Sequence, residues 1–365
     1  MVTIIYAYRN REISRIKKSL DSLIVQSNQN FNVELVDYGS DIQHSLEVQK
    51  LVSNYTFLNY TYYYTINQPW SKAKALNSII KNLQTTFCFI ADIDMIFSPK
   101  LIEKLIFLQE VNSAIYFKVG YLNKSETSQN KKFNEYIVSH FGNEETTGMT
   151  MFSVKSLQDV RGYDEFYHFW GSEDTDLHVR MRNYGIAVKY YDADVLMLHQ
   201  WHESYMKREQ TRLVKELQLN TVIQINYQHL IFAKKLKKTI VNDQNWGKIP
   251  GKQDFALLND IVDIIEVSNQ KEKIDDLLFG QLPTLVKNGI KIVITSDDFQ
   301  NTLRYKLKKV LGKKVPNYYT LKEINDKFLL HIISFYRDLP YDYHISDDLK
   351  KITFTIKCNV HNEIY

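Results

Sequence analysis

The sequence has 365 residues, a length that favours two domains and admits three. It is 44% hydrophobic and 24% charged, which supports a sizeable core and excludes wholesale disorder. The formal net charge of +4 is too small to mark a nucleic-acid partner, and two cysteines, Cys88 and Cys358, are too few for a disulfide framework or a cysteine-built zinc site.

Read in chain order, Val2–Tyr8 is a short run rich in β-branched and aromatic residues, a predicted strand. It lacks a basic leader and runs straight into Arg9-Asn10-Arg11, so it is not expected to be a signal peptide. Ser14–Ile24 places Ile16, Leu20, Leu23 and Ile24 at helical spacing. Asn32–Asp37 predicts a second strand closed by Gly39-Ser40, followed by a helix around Ser45–Ser53, a strand at Tyr60–Thr65, a helix at Ser71–Asn82 and a buried strand at Thr86–Ala91. Strands alternating with helices at this rhythm predict a mostly parallel sheet covered on both faces. In such sheets ligands collect beyond the carboxyl ends of the strands, where Asp37 and the pair Asp92 and Asp94 fall.

From Tyr205 to about Ile240 the pattern turns helical and basic, with Lys234-Lys235 and Lys237-Lys238 reading as a solvated face. Val241–Asp254, with Gly247, Pro250 and Gly251, reads as a linker. Beyond it, strand-like Ile290–Thr295 and Ile352–Lys357 and helical Lys271–Phe279 and Leu321–Phe335 predict a smaller α/β domain over 255–365, after a larger one over 1–240. No stretch approaches the about 20 apolar residues that span a bilayer.

Four clusters can carry chemistry. In extended chain, residues two apart point the same way, so Asp92 and Asp94 can face one spot and suit Mg2+ or Mn2+; they can equally be solvated at a strand end. Glu173, Asp174 and Asp176 follow Trp170-Gly171-Ser172, where a partly desolvated carboxylate can act as a general base. Alternatively Asp174 caps the helix running on through Leu177 and Met181. His199-Gln200-Trp201-His202 offers two imidazoles, which are common metal ligands and also common structural groups. Tyr8-Arg9-Asn10-Arg11 places guanidinium groups where they can meet a diphosphate, or merely flank a helix entry.

The order of these segments resembles the GT-A glycosyltransferases, specifically the β-1,4-galactosyltransferase group and its bacterial relatives in glycosyltransferase family two. Tyr8-Arg9-Asn10-Arg11-Glu12 is similar to that group's aromatic-R-N-R turn, and Trp70-Ser71-Lys72-Ala73-Lys74-Ala75-Leu76-Asn77 to its F-N-R-A-K-x-L-N segment. Cys88–Ile96 resembles C-F-x-x-S-D-V-D-L-I, and Thr147–Phe152 stands where the group has G-G-V-S-A-L. Gly162-Tyr163-Asp164 and Trp170–Asp176 resemble N-G-F and W-G-G-E-D-D-D. The likeness spans about residues 1–205 and departs at three points: Thr147 precedes Gly148, Ser172 replaces a glycine, and His199-x-x-His202 stands for M-x-x-H. Anchoring that last motif on Met197 instead leaves the ligand open between the two histidines.

The resemblance implies an α/β GT-A fold and a metal-dependent inverting transfer of a hexose from a UDP-sugar, with UDP-galactose the first expectation and UDP-glucose or UDP-N-acetylhexosamines next. It implies Asp94 with His199 or His202 as ligands of Mn2+ or Mg2+, and Asp92 on the donor's sugar or ribose. Asp174 would be the base and Glu173 would orient a sugar, with Trp170 stacking on one. Tyr8, Arg9, Arg11, Trp70 and Lys72 would line the nucleotide site, and Asp37 would accept from the uracil N3–H. Retaining relatives lack a carboxylate matching Asp174, hence the inverting assignment. A sugar nucleotidyltransferase would want a glycine-rich loop after the first strand, and Tyr6–Arg11 contains no glycine. The other reading is an inactive GT-A domain serving as a glycan-binding adaptor. The expected acceptor is a glycan, a lipid-linked oligosaccharide or a glycoprotein. The expected setting is cytoplasmic or peripheral to the membrane, with the C-terminal domain binding acceptor, forming a homo-oligomer or docking to a complex.

Overall fold

A computed structural model describes residues 1–203, 205, 211–285 and 289–357. Cys358 lies outside the described residues. The chain divides into two compact units, the first made of Met1–Ile66, Trp70–Arg208 and Val222–Ile249, the second of Asn67–Pro69, Glu209–Thr221 and Pro250–Tyr365.

The first unit begins β1 (Val2–Tyr8), α1 (Ile13–Ile24), β2 (Phe31–Tyr38), α2 (Ile42–Val52), β3 (Leu58–Tyr63), α3 (Lys72–Ile80), β4 (Phe87–Ala91) and β5 (Met95–Phe97). It continues α4 (Leu101–Phe107), β6 (Ser113–Phe117), β7 (Gly120–Tyr121), α5 (Lys124–Ser128), β8 (His140–Phe141), β9 (Thr150–Ser153) and α6 (Val154–Asp159). It closes with α7 (Glu173–Asn183), β10 (Ala187–Tyr191), β11 (Met197–His199) and α8 (Val222–Lys235). Seven strands form one sheet in the order β10-β6-β9-β4-β1-β2-β3. Every pairing in it is parallel except those of β9, which runs antiparallel to both β4 and β6.

Helices cover both faces, as strands apolar throughout require. On one face Ile16, Leu20 and Leu23 of α1 are fully buried at i, i+4 and i+7 against Ile4, Tyr6 and Phe89. Each such side chain contributes about 1.5–3 kcal/mol. On the other, Ala73, Leu76 and Ile80 of α3 pack with Ile5, Ile90 and Leu177. Ser71 caps α3, accepting from Lys74 N–H at 3.2 Å. A second sheet, β5-β11-β7-β8, lies at the carboxyl side of β4 in sequence and topology.

Two expectations change. The helix foreseen from Tyr205 starts only at Val222; of the preceding stretch, the described residues 211–221 are irregular chain with bends and a final turn, and 204 and 206–210 lie outside the described residues. The presumed linker is largely part of the first unit. Asn242 donates to Arg161 O at 2.9 Å and Tyr163 O at 2.7 Å, and Trp246 is buried against the α3 face. Gly247 has φ +72, and a Cβ there would meet Asn77 O at 2.5 Å, so its glycine marks a close approach and not a free joint.

The second unit carries α9 (Lys252–Ala256), β12 (Ile264–Ser268), α10 (Lys271–Asp276), α11 (Leu282–Leu285) and β13 (Ile290–Thr295). It continues α12 (Leu303–Val310), α13 (Leu321–Phe335), β14 (Tyr341–Ile345) and β15 (Lys351–Ile356). Its sheet runs β12-β13-β15-β14, with β12 and β13 parallel and the rest antiparallel. Among the described residues no helix is long and apolar enough to cross a membrane.

Candidate active site

The carboxyl ends of β1 and β4 lie side by side, Tyr6 opposite Ala91, and there the sheet collects charged side chains. The Asp92-Ile93-Asp94 segment is not the extended chain expected. Met95 N–H donates to Asp92 O at 3.3 Å, closing a turn between β4 and β5, and the two carboxylates take separate partners.

Asp94 faces the smaller sheet. There β11 pairs antiparallel with β5 and sets His199 opposite Met95. His199 Nε2 lies 3.6 Å from Asp94 Oδ1, and His202 Nε2 lies 3.4 Å from Asp94 Oδ2. Arg11 reaches the same carboxylate at 3.9 Å. One ligand atom from each of Asp94, His199 and His202 lies within 4.8 Å of the others.

The ring chemistry fits a cation. His202 Nδ1 is 2.9 Å from Glu203 O. A carbonyl only accepts, so Nδ1 carries the proton and Nε2 turns its lone pair toward Asp94. Burial lowers the His202 pKa, which favours that neutral form. Asp94 Oδ1 is buried with no hydrogen-bond donor among the described residues. Electron-rich atoms converging in a buried spot are costly unless a positive charge lies among them, and one carboxylate with two imidazoles suits a divalent ion such as Mn2+.

Beside this trio two helix N-termini converge. Lys72 opens α3, and Glu173 and Asp174 open α7. Lys72 Nζ lies 3.1 Å from Asp174 Oδ2 and 3.2 Å from Asp92 Oδ1. The alternative reading of Asp174 as the helix cap does not hold. Ser172 occupies that position in the left-handed region, at φ 73, and Asp174 sits one position inside the first turn with its carboxylate on Lys72. Gly148 lies over the same pocket, where a Cβ would come within 3.4 Å of Asp174 Oδ2 and 3.8 Å of Asp92 Oδ2.

Burial pushes the Asp174 pKa above the usual carboxylate range; Lys72 restrains the rise and Asp92 adds to it. Burial and the Asp174 charge raise Glu173 further, to about 7. Glu173 Oε2 accepts from Gly171 N–H at 3.0 Å. Burial opposes the Lys72 ammonium, but Asp174, Asp92 and Glu173 outweigh it and hold its pKa well above normal. The third acid of the cluster is elsewhere: Asp176 is buried and paired with Arg180 Nε at 2.7 Å, a structural tie that also engages Gly162 O.

The remaining residues divide. Arg9 Nε donates to Tyr38 O at 2.5 Å, and its guanidinium lies over the Tyr38 and Trp70 rings at 5.3 and 5.8 Å. Tyr8 and Asp37 are buried together. Asp37 accepts from Tyr8 OH at 2.7 Å, Tyr60 OH at 2.8 Å and Ser40 N–H at 2.8 Å, so a nucleobase contact by either requires that network to open. Trp170 is exposed and lies near-parallel to Tyr205, with ring centroids 6.5 Å apart.

Two neighbours were given no role in the sequence reading. The Tyr163 side chain is buried beside Asp174, and burial and the Asp174 charge hold its hydroxyl pKa well above normal; its place in Gly162-Tyr163-Asp164 was its only signal. Tyr121 packs on His199 at 5.2 Å and stacks on His140 at 4.7 Å, a contact that no local pattern announces.

With acidic and imidazole groups gathered at the carboxyl ends of a sheet of this order, the first unit resembles a GT-A glycosyltransferase domain. Residues 3–160 match the model of glycosyl transferase family 2, and residues 130–203 match that of the N-terminal domain of galactosyltransferase. No curated protein matches the chain. Among solved structures, S. aureus TarS is 14% identical, covering 55% of this chain and 36% of its own, with a TM-score of 0.41. A mannosyltransferase, PcManGT from Pyrobaculum calidifontis in complex with GDP-Man and Mn2+, is 16% identical over 56% of this chain and 58% of its own, also at 0.41. TarS 1–349 is 16% identical over 55% and 60%, at 0.40. The chain thus spans less than two thirds of the length of each.

Proposed function

We propose that the protein is a metal-dependent inverting glycosyltransferase that moves a hexose, galactose first, from a UDP-sugar to a glycan, lipid-linked or glycoprotein acceptor, with residues 1–240 catalysing and 255–365 serving the acceptor or assembly. The observation that carries this reading is Asp174, a carboxylate with a raised pKa held 3.1 Å from Lys72, next to the Asp94, His199 and His202 trio.

Those three residues would hold Mn2+ or Mg2+, which, when bound, stabilises the negative charge that gathers on a diphosphate leaving group. Arg11 adds a guanidinium on the same side. An acceptor hydroxyl is a weak nucleophile at neutral pH. Asp174 takes its proton as the new C1–O bond forms and the bond to the diphosphate breaks. Attack from the side opposite the leaving group inverts the anomeric centre. Lys72 keeps Asp174 ionised against the burial that would neutralise it, and Glu173, with its pKa near 7, can donate to a sugar oxygen or accept from one. Trp170 offers an exposed face for sugar stacking.

The test is UDP release from UDP-galactose, UDP-glucose and UDP-N-acetylhexosamines in Mn2+, with and without chelator. Chelator-sensitive release from one donor is the expected result. Release indifferent to chelator removes the metal from the reading, and no release from any donor with a full acceptor panel favours the adaptor.

A further inference from the structure

In the second unit, α12 is built to be wet on the wrong side. Thr302 caps it, its hydroxyl accepting from Tyr305 N–H at 3.2 Å, and Tyr305 anchors it inward. The Tyr305 ring packs on Phe299 at 5.6 Å and Tyr318 at 5.5 Å, and its hydroxyl donates to Pro316 O at 3.2 Å. At roughly 100° per residue, Leu303, Leu307, Val310 and Leu311 fall in one stripe on the side of the helix away from Tyr305. They are 78%, 62%, 85% and 66% exposed. A helix normally turns such a stripe toward the core.

The charges beside the stripe are of one sign. Arg304 and Lys308 lie along one margin, Lys306 and Lys309 along the other, and Lys313 and Lys314 follow the helix end. No acidic residue occurs between Asp298 and Glu323. An apolar stripe facing out between cationic margins matches an anionic bilayer surface, where leucines enter the acyl boundary and lysines stay among headgroups.

We propose that α12 docks the second unit on membranes carrying anionic lipid. The choice of a bilayer over a protein groove rests on charge complementarity: uniformly basic margins on both sides of the stripe suit a laterally uniform negative surface. This proposal goes beyond the glycosyl transfer reading and does not depend on it.

The test is flotation of the full chain with phosphatidylcholine vesicles with or without about 30% phosphatidylserine, at low and high salt. Binding to the anionic vesicles only, weakened by salt, is expected. The double variant Leu307→Glu and Val310→Glu should bind at least about ten-fold less, with an unchanged melting temperature, because both side chains are exposed. Equal binding to both vesicle types, salt-indifferent binding, no binding, or full binding by the double variant overturns the proposal. So does a concentration-dependent dimer that the double variant abolishes without vesicle capture, which assigns the stripe to a second copy.

Discussion

Lys72 Nζ sits 3.1 Å from Asp174 Oδ2, and this contact sets how far burial can drive up the carboxylate's pKa. Without the ammonium the largest downward influence is lost, while burial first and Asp92 next still push the pKa up. A base works only when ionised, so its activity falls as pH drops through its pKa. Lys72→Met should therefore move the acid limb of the pH–rate profile upward by about one unit or more. An unmoved limb would mean that another group limits the rate at low pH.

Asp94 and Asp174 should separate binding from chemistry. Asp174→Asn is expected to lower turnover by about 10²–10⁴-fold while UDP affinity in Mn2+ stays within about three-fold of wild type. Asp94→Asn should weaken that Mn2+-dependent UDP affinity itself, measured by calorimetry. Near-normal turnover in Asp174→Asn would remove it from the role of base.

Glu173 has a stability signature. Its folded pKa of about 7 lies above the ordinary 4.5, so the folded state binds the extra proton and stability falls as pH rises through that interval. Glu173→Gln removes the buried charge. It should raise unfolding free energy at pH 8 by about 1–2 kcal/mol and change it little at pH 4. Urea titrations at the two pH values decide; an equal effect at both would put the gain in packing.

Ser172 holds φ 73 at the start of α7 and makes no side-chain cap bond there. A glycine tolerates that region freely, so Ser172→Gly should stabilise the protein by about 0.5–1 kcal/mol, while Ser172→Val should destabilise it by more. Thermal denaturation of the pair checks this. A loss on going to glycine would mean that the serine hydroxyl has a partner worth more than the strain.

Much of the first unit was legible because strand and helix periods are local. Val2–Tyr8 is apolar throughout, and α1 repeats its buried residues at i, i+4 and i+7. Asp92, Asp94, Glu173, Asp174 and the two histidines were visible as unusual clusters beside apolar runs. What stayed hidden depends on distance in sequence. That Asp92 turns to Lys72 while Asp94 turns to the histidines follows from a turn and from pairing between β5 and β11, about a hundred residues apart. The burial of Asp37 beneath Tyr8 and Tyr60 has the same origin. Asn242 and Trp246 looked like linker because their partners, the loop at Arg161–Glu165 and α3, lie far back along the chain.

The antiparallel strand of the seven-stranded sheet also bears on how the molecule comes into being. β9 lies between β4 and β6, both of which precede it in the chain. Those two must wait, unbonded along facing edges, until it arrives, and exposed edges of that kind attract misplaced strands. The turn that carries Gly148 leads directly into β9. A newly made polypeptide therefore acquires its roof over the carboxylates in the same event that fills the gap between β4 and β6.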